Sequence, residues 1–89
     1  MPAGPYRATV HFLGERPVEA IARIDIVAEG GKVVYAERFI AASSTSDEGG
    51  GYKVDVDFEL PRAVDNLELR VFLQTSALVK VGHYEIVPN

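Results

Sequence analysis

The 89-residue chain has no cysteine and no tryptophan. Without cysteine it can form neither a disulfide nor a thiolate metal site, so its stability must come from packing or from a partner chain. That lack agrees with a reducing compartment, although it does not exclude export. Without tryptophan, the broadest aromatic stacking surface is missing, and any such role falls to phenylalanine or tyrosine. Long apolar runs are absent as well. The longest are a few residues, far short of the roughly 20 that span a bilayer. Nor are there blocks of basic residues: nine lysines and arginines are scattered through a chain of net charge −4. Phosphate recognition needs a concentrated basic patch, so no nucleic-acid partner and no membrane partner are expected. The opening Met1-Pro2-Ala3-Gly4-Pro5 has neither the positive start nor the apolar stretch of a signal peptide. A cytoplasmic protein is expected, unless the sequence is a domain cut from a longer chain.

What the chain does have is alternation. Tyr52-Lys53-Val54-Asp55-Val56-Asp57-Phe58-Glu59-Leu60 puts five apolar side chains on one side and four charged ones on the other. Period two is the strand period, so this segment reads as a strand with one face in a core and one in water. Tyr6 to Leu13 repeats the pattern, with Tyr6, Ala8, Val10 and Phe12 against Arg7, Thr9 and His11. Val18 to Ala28 is weighed as a helix because Glu, Ala and Arg favour one. Its Ile24-Asp25-Ile26-Val27 end and the Gly30-Gly31 that follows favour a strand leading into a hairpin. Ile21 and Val27 fall on its polar side, which predicts partial cover of the outer face. Lys32 to Ala42 is apolar on both faces, as in a strand covered on both sides or bulged in its middle. Ser43 to Gly51 is small, polar and glycine-rich, and reads as a long exposed loop. Leu67 to Leu73 and Leu78 to Val87 supply the last two strands.

These six segments predict a single all-β domain over residues 1–89. The expected fold is an antiparallel two-sheet β-sandwich of about six strands, immunoglobulin-like or a truncated jelly roll. Short connections predict that sequential strands pair, with the 43–51 loop carrying the chain from one sheet to the other. A domain of this size buries roughly 60–65% of its unfolded surface, enough for one thin core.

Chemistry-bearing constellations are sparse. Asp55, Asp57 and Glu59 repeat about every 6.5–7 Å along one strand, too far apart to grip one small cation. They read as a solvated face, with Glu68 and Arg70 as cross-strand pairing partners. His11 and His83 lack metal-ligand spacing, and either gains a role only beside a carboxylate, with Asp25 and Glu85 as the nearest candidates. The serines lack a positioned base. Gly49-Gly50-Gly51-Tyr52-Lys53 lacks phosphate-loop spacing and leads into a strand. No catalytic residue, no metal and no cofactor are therefore expected, and the chain is not expected to be an enzyme.

One aromatic stands out. Phe72 falls in the otherwise polar row Glu68-Arg70-Phe72-Gln74. There it could stack on a sugar ring, with Glu68, Arg70 and Gln74 orienting the hydroxyls. Gly51 to Leu60, then Leu67-Glu68-Leu69-Arg70-Val71, Val79-Lys80-Val81 and Ile86-Val87-Pro88 resemble the accessory β-sandwich modules of bacterial polysaccharide-processing enzymes. The likeness covers about 38 residues of the C-terminal half. It implies a sandwich fold and a non-catalytic binding or accessory module for carbohydrate or polysaccharide. The alternative expectation is a structural protein–protein interaction or self-assembly domain. It would pair with itself or a parent-chain domain through an edge strand or a sheet face such as Ile21, Val27, Val34 and Ile40.

Overall fold

In a computed structural model, which describes residues 1–16, 21–73 and 80–89, the alternating segments are strands. They are β1 (Gly4–Leu13), β2 (Ala22–Ala28), β3 (Val33–Ile40), β4 (Ser46–Glu48), β5 (Gly51–Leu60), β6 (Glu68–Leu73) and β7 (Lys80–Pro88). No α-helix occurs among the described residues. The helical alternative for residues 18–28 gives way to β2 from Ala22 onward, and residues 18–20 lie outside the described residues. Two antiparallel sheets result. One has the order β4-β5-β1-β7 and the other β3-β2-β6.

The pairing departs from the expectation that sequential strands are neighbours. Among the described residues only β2–β3 and β4–β5 obey it; β1 pairs with β5 and β7, and β2 pairs with β6. The reason is length and pattern. β1 and β5 carry the two longest alternating rows, and they match without a break from Gly4–Leu60 to Leu13–Gly51. That register stacks Tyr6 on Phe58 (centroids 5.7 Å apart) and Phe12 on Tyr52 (5.0 Å). Such aromatic pairs add about 0.5–1.5 kcal/mol beyond the area they bury.

Both sheets send apolar rows inward. Tyr6, Ala8, Val10 and Phe12 from β1 and Tyr52, Val54, Val56, Phe58 and Leu60 from β5 are buried. Opposite them lie Ala22, Ile24, Ile26 and Ala28 of β2, with Ile40 of β3. Ile21 and Val27 are also buried, as their place on the polar side foretells. β3 is bulged at Tyr35, where its register against β2 slips between Ile26 and Val27. That slip accounts for a strand apolar on both faces.

The 43–51 segment is more ordered than its composition suggests. A 3-10 turn (Ala42–Ser44) precedes β4, and the chain returns through Gly49-Gly50 to pair β4 with β5. Every residue of β4 is exposed, so it has no apolar face to betray it. As expected, the chain changes sheet between β3 and β4. The Gly30-Gly31 hairpin also forms, as a 3-10 turn (Glu29–Gly31). Gly31 has φ +92°, and a Cβ there would press on the Arg70 guanidinium at 3.0 Å.

One buried polar atom is unpartnered among the described residues within this core: the Tyr52 hydroxyl. Burial pushes that phenol above its usual range, partly offset by the positive charge of Arg16. A buried unsatisfied group costs about 1–3 kcal/mol. Tyr52→Phe keeps the stack on Phe12 and removes the orphan. It is expected to raise stability by about 1 kcal/mol, read as a higher urea midpoint. A fall of similar size would show that the hydroxyl is partnered.

Candidate functional site

Three surfaces carry residues that chemistry or recognition could use. The first is the outer face of the β3-β2-β6 sheet, where cross-strand register sets three rows. They are Phe39–Arg23–Phe72, Glu37–Asp25–Arg70 and Val34–Val27–Glu68. The sequence expectation that Phe72, Arg70 and Glu68 share one face therefore holds in space, while Gln74 lies outside the described residues. Their company is what sequence reasoning missed. Arg70 donates Nε to Asp25 Oδ1 (2.8 Å) and Nη2 to Oδ2 (2.9 Å). Asp25 is only 2% exposed, so this fork neutralises a buried carboxylate. The hydrogen bond to Asp25 is also the main reason the guanidinium is held above its ordinary pKa. The Arg23 guanidinium lies over the Phe72 ring, 4.3 Å from its centroid, and that of Arg70 is 5.3 Å away. Phe72 keeps 38% of its surface and Phe39 keeps 66%. The more accessible aromatic is thus Phe39, and part of Phe72 is engaged in cation–π contact.

The second surface is the outer face of the other sheet. Arg7 donates to Asp57 (2.8 Å), which holds the Asp57 carboxyl below its usual range, and Thr9 donates to Asp55 (2.7 Å). These acids thus pair with β1; β6, which carries Glu68 and Arg70, belongs to the other sheet. His11 is stacked directly on its register partner His83, ring centroids 4.1 Å apart. Its Nδ1 lies 2.8 Å from Glu48 and its Nε2 lies 3.4 Å from Glu85. Of the two carboxylates anticipated for a histidine, Glu85 is there and Asp25 belongs to Arg70. Glu48 was not anticipated, because nothing in Ser46-Asp47-Glu48 announces β4. The imidazole is thus held between carboxylates at both ring nitrogens. The arrangement ties β4, β1 and β7 together. Among the described residues, no group of three or more His, Asp or Glu side chains is placed to hold a metal ion.

The third surface is a flank of the sandwich. β3 lies against β5, so the strand orders leave β6 and β7 as the edge strands on the opposite side. The β5 side is sealed, with every inward side chain from Tyr52 to Leu60 buried. The β6–β7 side is open. Inward-facing Leu69, Val71 and Ile86 are only half-buried, while Leu73 is 51%, Val81 42% and Tyr84 52% exposed. Both strands are sheet edges, each pairing with one neighbour among the described residues. Among the described residues, two unpaired strand edges thus flank a strip of exposed apolar side chains. That combination is how a sheet accepts a further strand: main-chain bonds give affinity, and alternate side-chain positions give selectivity.

The architecture defines a two-sheet β-sandwich. Comparisons with protein families, curated proteins and solved structures find no match.

Proposed function

We propose that this chain is a non-catalytic interaction module that takes up an extended β-strand along its β6–β7 flank. The observation that carries the reading is the contrast between the two flanks. Inward rows are buried to the last residue along β5, and left half in water along β6 and β7. Exposed apolar side chains grouped beside unpaired strand edges mark a recognition surface more strongly than the same side chains scattered singly. Of the two finer folds anticipated, the truncated jelly roll is favoured. β1 pairs with β7, and β2 with β6, in nested fashion across two sheets, whereas an immunoglobulin arrangement keeps its first two strands in one sheet.

Selection from a library of displayed decapeptides tests the proposal at low protein concentration. The selected peptides are expected to carry apolar residues at every second position and to slow amide exchange along β6 or β7. Tyr84→Asp places a charge in the strip and is expected to weaken them about tenfold or more. Failure to enrich such peptides, or binding indifferent to Tyr84→Asp, overturns the reading.

Carbohydrate recognition is the second reading, and its place is the outer face of the β3-β2-β6 sheet. The observation in its favour is the row in which Phe39 and Phe72 flank Arg23. A sugar stacking there would meet Phe39 first, and Arg23 would have to leave the Phe72 ring to admit it there.

A further inference from the structure

The open flank, if it accepts a strand as proposed above, has an occupant that β7 itself specifies. We infer that the partner is a second copy of this chain, joined through antiparallel pairing of β7 with β7 about a two-fold axis. The argument turns on a bulge. The register of β7 against β1 runs from His11–His83 to Phe12–Val81, leaving Gly82 as an extra residue. In a regular strand Lys80 and Glu85, an odd number of residues apart, would point to opposite faces. The bulge changes this. Lys80 is opposite Leu13 and Glu85 is opposite Thr9, both on the outer face. Val81 and Tyr84 are likewise brought to the same inward face, opposite Phe12 and Val10.

Identical antiparallel strands related by a two-fold axis pair reciprocally: if one residue meets another, the second meets the first. An axis between Gly82 and His83 sets Lys80 against the partner's Glu85, and Val81 against the partner's Tyr84, twice each. Faces then agree on both sides of the bulge, and the only residue without a consistent face is a glycine, which needs none. Moving the axis by one residue toward the C-terminus sets His83 against Tyr84 across opposite faces. The register centred between Gly82 and His83 places opposite charges together on the outer face and extends the apolar strip on the inner one. Cross-strand pairs of both kinds are stabilising, and like charges in the same place are not. A bulge at a sheet edge commonly discourages pairing; this one is compatible with pairing that continues through it in the register centred between Gly82 and His83. A Cβ on Gly82 would press on the Leu13 side chain at 3.2 Å, which favours glycine at the bulge.

Sedimentation equilibrium of the full chain tests this. The wild type is expected to form dimers. Lys80→Glu alone places two pairs of acids across the axis, and Glu85→Lys alone places two pairs of lysines there. Each is expected to weaken self-association about tenfold or more. Mixed in equal amounts, the two variants have opposite charges at both contacts and are expected to form a heterodimer close to wild-type affinity. Both side chains lie outside the interior, but Glu85→Lys also gives up the contact with His11, so circular dichroism checks that each variant remains folded. A change that acted only within one chain would not be rescued by mixing. A wild type that stays monomeric at the highest attainable concentration, or a mixture that stays dissociated, overturns the inference. Either result leaves the strand-acceptor reading to stand or fall on the peptide selection.

Discussion

Replacing Arg70 with alanine is expected to lower the melting temperature by about 10 °C or more, far beyond what an exposed strand position should cost. The cause lies with its partner. Asp25 is enclosed in β2 between β3 and β6, and its two carboxylate oxygens receive the two prongs of the Arg70 guanidinium. Deleting the arginine strands a buried negative charge, which is the expensive way to break a buried pair. Water reaches the guanidinium from one side, which places the cost toward the lower end for such pairs. Two further variants separate this cause from lost packing on Phe72. Arg70→Met retains much of the side-chain bulk and should be nearly as damaging as alanine. Adding Asp25→Leu to Arg70→Met should recover most of the loss, because neither charge then remains. Thermal melts of the three variants decide the matter. A small loss in the alanine variant would mean that Asp25 finds another partner.

The second large effect is expected from the smallest substitution. Gly51→Ala should destabilise by about 1–3 kcal/mol or more, the range for forcing added atoms into a well-packed site. Gly51 opens β5 opposite Leu13, at the end of the longest ladder in the molecule. A Cβ there would fall inside the contact shell of the Phe12 carbonyl oxygen and meet its carbonyl carbon at 3.1 Å. Backbone cannot swing aside as a long side chain can, so the β1–β5 pairing must shift at that end. Phe12 and Tyr52 stack immediately beside it. Urea unfolding measures the loss, and near-ultraviolet circular dichroism should show a weakened aromatic signal. Gly49→Ala, with nothing within 4 Å of its Cβ, is the matched control and should be close to neutral.

How much of this could be read from the chain alone depended on whether a residue's fate was decided locally. The faces of β1 and β5 were legible, because strict alternation admits one assignment of inside and outside. The β2–β3 hairpin was legible in Gly30-Gly31, and the cover over Ile21 and Val27 in their misplaced apolarity. Pairing between distant strands was not. Nothing in Asp25 or Arg70 says that β6 lies beside β2, so the buried fork that organises the Phe72 face was invisible. Nor does the sequence show that the Arg23 guanidinium covers part of the Phe72 ring, for the same reason. β4 was hidden because Ser46-Asp47-Glu48 has no apolar member. With it went the Glu48 contact that turns His11 from an exposed strand residue into a tie between three strands. The register slip at Gly82 needs its neighbour β1 to be seen, since a glycine in a strand has several uses.

The unequal flanks leave unequal room for sequence change. An added methylene at Val56 has nowhere to go, as the chain is closed around it. At Val71, Leu73 or Ile86 the same atoms grow toward solvent, or toward whatever lies alongside. Randomising those three positions should yield folded variants at high frequency, differing chiefly in what they adhere to. One side of this small sandwich therefore keeps the architecture, and the other is free to diversify without endangering it.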